Sequence, residues 1–234
     1  MSDQPINPAP LISDDPAEAL SDSEFQRLQI KVSPGHAFGP GHSVALVATF
    51  AALIATCAML PALAIAGVPA PVTLQTFGVM LTGLILGARR GAAAVLLYLV
   101  IGAAGAPVFS GGNAGLGVFV GPTAGYLVAF PLLAFLVGKT VRLLLRTFDS
   151  AQLSSSGKSS GLRFATIVST CLLISVLTVH ACGVIGMAWR VPMSFSDALV
   201  ADLIFIPGDI LKTTVAVFVS SAVLRALPQL RELN

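Results

Sequence analysis

Apolar segments long enough to cross a bilayer are the feature that most constrains this chain. A spanning helix needs about 20 mostly apolar residues, and candidate spans cover 43–66, 72–87, 91–108, 123–145, 163–188 and 207–227, with 197–206 as a lead-in to the last. Charged residues make up only 10% of the sequence, whereas soluble domains hold about 25%. The sequence therefore predicts an all-α integral membrane protein, folded as one compact bundle of six transmembrane helices.

The basic residues predict how this bundle is oriented. Cytoplasmic connections of membrane proteins carry an excess of Lys and Arg. With the N-terminus inside, eleven of the thirteen basic residues fall in inner segments, Lys212 lies within the sixth span, and Arg190 falls in an outer connection. We therefore expect both termini to be cytoplasmic in a multi-pass protein of the plasma membrane.

The outer connections of this topology are 67–71, 109–122 and 189–205. The first two are uncharged and rich in Gly and Pro. Irregular backbone near a membrane is tolerated where protein or a water-filled cavity satisfies its polar groups. We interpret the glycine-rich connection as a lid over a pocket that opens to the outside.

The ends of the chain differ in composition from its centre. Residues 1–40 are rich in Pro, Ser, Asp, Gln and Gly and hold six of the eleven acidic residues, so we expect a disordered cytoplasmic tail and not a signal peptide. The predicted membrane domain covers 41–228, with a variable cytoplasmic loop at 148–162, and 229–234 form a C-terminal tail. Nothing in the charge pattern suggests a face for nucleic acid.

Asp209 and Lys212 stand out because they lie inside the sixth apolar segment. Each charge is expected to cost roughly 2.5 to 3.5 kcal/mol at the centre of a bilayer, and less near an interface. Their spacing of three places them on one helix face, and Pro207 with Gly208 predicts a helix start there, with Asp209 in the first turn. The pair is either an ion pair that locks helix packing or a ligand site. In a ligand site, Lys212 takes an anionic group and Asp209 accepts from N–H donors, and we favour this interpretation.

Other polar and aromatic side chains lie near the predicted outer face. Gln75, early in the second span, can bond a neighbouring helix or contact a ligand. Asn113, in the glycine-rich connection, suits a turn as well as a ligand contact. Tyr126 and Trp189 lie at the outer boundary, where aromatic residues are common; for Trp189 we favour that interfacial role.

The sequence offers little support for catalysis. His180 is interpreted as a packing histidine bonded to a neighbour, and the alternative pairs it with Ser110 as a serine hydrolase dyad inside the membrane. The stretch "VFSGG" lacks the first glycine of a nucleophile elbow, and the chain has no phosphate-binding loop for ATP hydrolysis. Its three cysteines have no CxxC spacing, which predicts packing roles and no metal site. We expect a protein that is not an enzyme and that needs no cofactor.

The first span carries small residues at helical spacing, among them Ala48, Ala52 and Ala55. Such spacing lets two helix backbones approach closely. The pattern fits either a docking face for a partner helix or packing inside the protein itself.

Three blocks of sequence follow one another between about 45 and 227. They are "PAPVTLQTFGVMLTGLILGARRGAAAVLLYLVIGAAGAPVFSGG", "GPTAGYLVAFPLLAFLVG" and "FIPGDILK". As a set they resemble the BioY family, the biotin-binding S components of energy-coupling factor (ECF) transporters. The resemblance implies a compact six-helix membrane protein with a biotin pocket near its outer face, and biotin is then the transported ligand. The alternatives are an S component for another vitamin, which would lack this motif set, and the hydrolase.

The resemblance also assigns roles to individual residues. Asp209 and Lys212 match the family's D-x-x-K ligand-binding residues, and Asn113 falls where the family's loop supplies a polar contact. Gln75 and Tyr126 match family motifs and are further candidates for contact with biotin.

Partners are implied by the same resemblance. An ECF complex adds a transmembrane coupling subunit and two ATPase subunits, and the S component docks through an alanine-rich first helix. Ala48, Ala52 and Ala55 fit that description. Some members are thought to work without a dedicated ATPase module, so self-association is the other arrangement that we consider.

Overall fold

The computed structural model of the protein describes residues 40–152 and 160–232. Most of the predicted tail at 1–40, the centre of the predicted loop at 148–162 and the last two residues lie outside these ranges. Within them, helix continues to residue 152 and resumes at residue 160.

The described ranges contain eight α-helices joined by turns. They are α1 Pro40–Met59, α2 Gln75–Ala103, α3 Ala124–Gln152, α4 Ser160–Ser175, α5 Ala181–Arg190, α6 Phe195–Leu203, α7 Phe205–Ala226 and α8 Gln229–Glu232. A π turn, Val176–His180, makes α4 and α5 one continuous rod, and two short 3₁₀ turns, Ser110–Gly112 and Leu116–Val120, lie between α2 and α3. Within these two ranges, five helical segments are long and apolar enough to cross a membrane.

Helix α2 is a hairpin of two arms. Its Gly87 has φ 75° and ψ −173°, a conformation that glycine adopts readily because it has no Cβ. A Cβ added to Gly91 would lie 3.0 Å from Gly83 Cα, and Gln75 Nε2 lies 2.7 Å from Tyr98 Oη. A straight helix would separate two residues 23 positions apart by about 35 Å, so the arms must run antiparallel. Counting the arms separately turns the five long segments into six apolar helices, as the sequence predicted.

The helices pack closely through small residues. A Cβ on Gly83 of α2 would lie 2.6 Å from the Ala134 carbonyl oxygen of α3, and a Cβ on Gly186 of α5 would lie 2.9 Å from Gly125 Cα of α3. Small residues at helix contacts let backbones approach and gain dispersion energy in a membrane. Helix α3 is therefore held between α2 and α5, and this position fixes the place of Tyr126 near its N-terminus.

The outer surface of the bundle is apolar. Val128 on α3, Leu177 in the π turn, and Leu211 and Phe218 on α7 are 65–67% exposed. A soluble protein seldom exposes so many large apolar side chains in continuous patches. This surface, together with the long helices, confirms the predicted all-α membrane fold.

Several predicted boundaries differ from those of the structure. The first span was predicted to reach residue 66, but α1 ends at Met59, just before Pro61, which a helix cannot easily include. The third was predicted to reach residue 108, but the second arm of α2 ends at Ala103. The lead-in at 197–206 is a separate helix, α6, which begins at residue 195 after a capping box between Ser194 and Asp197.

Candidate functional site

A cavity of about 120 Å³ opens among the ends of the helices. All three connections that the charge pattern assigns to the outer face contribute to its wall. The lining residues are Ala70, Pro71, Thr73, Gln75, Thr76, Phe109, Ser110, Asn113, Val118, Thr123, Tyr126, Leu127, Phe130, Val179, His180, Phe205, Asp209 and Lys212. The five residues that the sequence singled out for ligand contact come from four separate parts of the chain and thus meet at one cavity.

One side of the cavity is apolar and rigidly packed. Phe109 is 1% exposed and makes edge-to-face contacts with Tyr98 and Phe119, with ring centroids 5.5 and 5.7 Å apart. Its ring lies against Gly102, where any Cβ would collide with it. Ligand pockets commonly combine such a wall with a few polar groups, and the opposite side supplies those groups.

Asp209 and Lys212 form a buried ion pair on that polar side. Lys212 Nζ donates to Asp209 Oδ1 at 2.7 Å and to Thr76 Oγ1 at 3.3 Å, while the Thr76 hydroxyl donates to Asp209 Oδ1 at 3.2 Å. Asp209 is 5% exposed. An ammonium group has three N–H donors, and within the described part of the chain Lys212 uses two of them.

The predicted position of Asp209 in the first turn of its helix is wrong. Helix α7 begins at Phe205, because α6 and α7 nearly join and Pro207 is accommodated inside the first turn, where a missing N–H has no consequence. Asp209 is the fifth residue of α7. Its charge is therefore compensated by neighbouring side chains and not by the end of the helix.

His180 and Asp202 extend the ion pair into a network that the sequence did not reveal. His180 Nε2 lies 3.0 Å from Asp209 Oδ2, and His180 Nδ1 lies 2.9 Å from Asp202 Oδ2. Tyr126 Oη donates to Asp202 Oδ1 at 2.7 Å. A continuous chain of contacts thus runs from Lys212 to Tyr126 and ties together α7, the π turn, α6 and α3.

Of the two residues that extend the network, the sequence predicted the role of one and missed the other. His180 was expected to be a packing histidine bonded to a neighbour; it is, and both its partners are carboxylates. Asp202 was assigned to an outer connection and was missed. An acid seven residues before Asp209, two helical turns earlier in an apolar run, is the signal that could have identified it.

Gln75 bonds a neighbouring helical arm and also lines the cavity. Its Nε2 donates to Tyr98 Oη at 2.7 Å, and the Tyr98 hydroxyl donates to the Val108 carbonyl at 3.2 Å, so the amide links the two arms of α2. Gln75 also lines the cavity and is 5% exposed. Its Oε1 makes no hydrogen bond within the described part of the chain and is available as an acceptor.

Asn113 closes a tight turn in the glycine-rich connection. Its Nδ2 donates to the Ser110 carbonyl at 2.7 Å, and Phe109 N donates to the Asn113 carbonyl at 3.1 Å. Gly111 and Gly112 have φ of 69° and 75°, which glycine favours. Asn113 is exposed and lines the cavity. Its side chain therefore stabilises the turn and is also accessible from the cavity.

The hydrolase alternative finds no support in this geometry. A dyad needs an imidazole nitrogen that can accept the serine proton, and both nitrogens of His180 face carboxylates. Across residues 40–152 and 160–232, no group of three His, Cys, Asp or Glu is arranged to hold a metal ion.

The sequence profile of the BioY family matches residues 30–229. The chain belongs to the BioY family. The biotin transporter BioY of Rhizobium etli is 37% identical over 185 residues, which cover 79% of this chain and 94% of that protein. The biotin transporter BioY of Rhodobacter capsulatus is 36% identical over 196 residues, which cover 80% and 95%.

A solved structure agrees with this membership of BioY. It is the crystal structure of the S-component for biotin from an ECF-type ABC transporter, with a TM-score of 0.70 and 28% sequence identity. The match covers 79% of this chain and 91% of that one. BioY is a family of transporters and not of enzymes, so the hydrolase alternative is set aside.

Proposed function

We propose that this BioY protein is the biotin-binding S component of an ECF-type transporter in the plasma membrane and captures biotin at its outer face. The observation that carries the proposal is the cavity itself. Its wall joins a buried Asp209–Lys212 pair to a closely packed apolar side, in a chain whose relatives are biotin transporters.

The chemistry of biotin fits these walls. Biotin has a carboxylate, an apolar chain, a thioether ring and a ureido group with N–H donors and a carbonyl. Lys212 supplies a cation with one unused N–H, and Gln75 Oε1 and the Asn113 side chain supply polar groups. The apolar part of the ligand then packs against Phe109 and its neighbours, where burial of apolar surface contributes roughly 25 cal/mol per Å².

Biotin binding should require neither metal nor nucleotide, because the walls offer charged, polar and apolar side chains that together suffice. Equilibrium dialysis of the purified protein against radiolabelled biotin in EDTA should give saturable binding. Thiamine or riboflavin in excess should not displace the label. Binding that disappears in EDTA and returns with added metal would contradict the proposal, and displacement by another vitamin would favour the alternative S component.

The cavity should open to the outside of the cell. All three connections at its mouth belong to the side that holds few Lys and Arg residues. Arg89 and Arg90 lie at the far tip of the α2 hairpin, next to Gly87. In a variant whose native cysteines are replaced by alanine, Asn113→Cys should react with an impermeant maleimide in intact cells, and biotin should slow that reaction.

Ser160→Cys is the matched control for the orientation. Ser160 is exposed at the start of α4, on the side that we expect to be cytoplasmic, so it should react only after the cells are permeabilised. Labelling in the reverse order at the two positions would invert the proposed topology.

The exposed face of α1 supports docking to a coupling subunit. Ala48 and Ala52 are exposed, whereas Ala55 is half-buried and packs against the core. Thr49 Oγ1 and Thr56 Oγ1 donate to carbonyls of their own helix at 2.8 and 2.9 Å, so they do not present unbonded hydroxyl donors. A smooth face of small residues suits close contact with another helix in lipid. We propose that Ala48 and Ala52 form the centre of this face, with Ala55 at its inner edge.

A further inference from the structure

The cavity has a second pair of opposite charges behind the first. His180 and Asp202 are 5% and 3% exposed and bond each other at 2.9 Å. The Asp209–Lys212 pair is complete without them, since Lys212 already donates to Asp209 at 2.7 Å. Burying charges carries a desolvation cost that pairing often only offsets. A second buried pair that the first does not need is therefore expected to have a role of its own.

The two contacts of His180 favour a cationic imidazole. Each of its ring nitrogens faces a carboxylate oxygen, at 2.9 and 3.0 Å. With Asp202 and Asp209 ionised, both carboxylates only accept hydrogen bonds, so both nitrogens carry hydrogen, and an imidazole with two N–H groups is a cation. Lys212, Asp209, His180 and Asp202 then alternate in sign, and their charges sum to zero. Tyr126, the other titratable group in the network, donates a neutral O–H to Asp202.

We propose that His180 and Asp202 set the net charge of the cavity and thereby allow it to accept an anionic ligand. The inference rests on the proposed function, in which biotin is that anion. Without the cation of His180, two carboxylates would face one ammonium group and leave the site with a negative charge. A negative site of low effective dielectric repels a ligand carboxylate. With His180 in place, the unused N–H of Lys212 is offered in a neutral surrounding.

Two ligands of nearly equal shape test this role. Biotin is an anion at neutral pH, and biotin methyl ester is neutral. The measured quantity is the ratio of their dissociation constants for purified full-length protein, obtained by isothermal titration calorimetry. His180→Gln should shift the ratio against biotin roughly twentyfold, the effect of one unit charge at about 8 to 10 Å with an effective dielectric constant near 20.

Removing the opposite charge should repair the defect. Asp202→Asn alone leaves the cavity neutral or positive and should not shift the ratio against biotin. The double variant, His180→Gln with Asp202→Asn, is neutral again and should return to within about threefold of the wild-type ratio. General damage to the fold cannot produce this pattern, because the double variant would then be the worse. Asp197→Asn is the matched control: it lies on the same helix, is exposed and should leave the ratio unchanged, because water screens it.

The outcomes separate this inference from the proposed function. Wild-type protein that binds neither ligand would overturn the proposed function. Wild-type protein that binds biotin, with an unchanged ratio in His180→Gln or with no recovery in the double variant, would overturn the role of His180 and Asp202. If His180→Gln does not fold, His180→Arg retains a permanent cation with several donors; it should keep the wild-type ratio, and a ratio shifted against biotin would overturn the inference.

Discussion

Lys212→Ala should weaken biotin binding roughly ten- to a hundredfold, while the melting temperature of the ligand-free protein changes little. The affinity falls because a charge-assisted contact with a ligand is worth about 1.5 to 3 kcal/mol. The fold tolerates the change because Asp209 keeps two other donors, His180 Nε2 at 3.0 Å and Thr76 Oγ1 at 3.2 Å. Titration of biotin and thermal unfolding without ligand measure the two quantities separately. Lys139→Ala, at an exposed position on α3, is the control for loss of a lysine.

Asp209→Asn is not equivalent to Lys212→Ala. It removes the anion that lies between two cations, so both Lys212 and His180 lose their shared partner. Breaking a buried pair in this way typically destabilises a protein by about 3 to 5 kcal/mol. We therefore expect Asp209→Asn to lower both biotin affinity and the melting temperature. If Lys212→Ala also lowered the melting temperature strongly while affinity in the folded protein stayed unchanged, the pair would be a packing device and not a ligand site.

The membrane fold could be predicted from the sequence because hydrocarbon allows few alternatives. A backbone in lipid must satisfy its own hydrogen bonds, which leaves helices as the answer for long apolar segments. The division of 75–103 into two arms was also predictable, since Gly87 is followed by Arg89 and Arg90, which mark a connection. The exact ends were less predictable. Leu63 pairs with Val72 after α1 has ended, and no local signal announces that contact.

The site was only partly predictable, for a physical reason. Asp209 and Lys212 can be found in the sequence because a charge inside an apolar span needs an explanation. Their partners cannot be found in that way, because the contact of Asp209 with Thr76 joins residues 133 positions apart. Asp202 lies on a short helix, and the sequence assigned this part of the chain to an outer connection, where a charge is normally solvated. Its burial follows from the way Tyr126 and His180 close around it, which is a property of the packed bundle.

Ala48→Trp and Ala52→Trp should reduce biotin uptake by cells roughly tenfold or more, while the purified variants bind biotin as well as the wild type. Both alanines are exposed, so a larger side chain displaces nothing inside the protein. At a close helix contact, however, overpacking costs about 1 to 3 kcal/mol, and an indole in place of a methyl group separates the two helices. Uptake of radiolabelled biotin and binding to purified protein are the paired measurements.

Two further alanines calibrate this experiment. Ala93 is exposed on the second arm of α2 and is not part of α1, so Ala93→Trp should leave both uptake and binding intact. Ala51 is 4% exposed in the core, so Ala51→Trp should impair folding and reduce both. If Ala48→Trp and Ala52→Trp behaved like Ala51→Trp, the alanines would pack the protein's own interior. If they behaved like Ala93→Trp, α1 would not be the docking face. Loss of uptake with intact binding, together with loss of the copurifying coupling subunit, would place that subunit on α1. If the same loss of uptake came with dissociation of a homo-oligomer, a second copy of the chain would occupy the face.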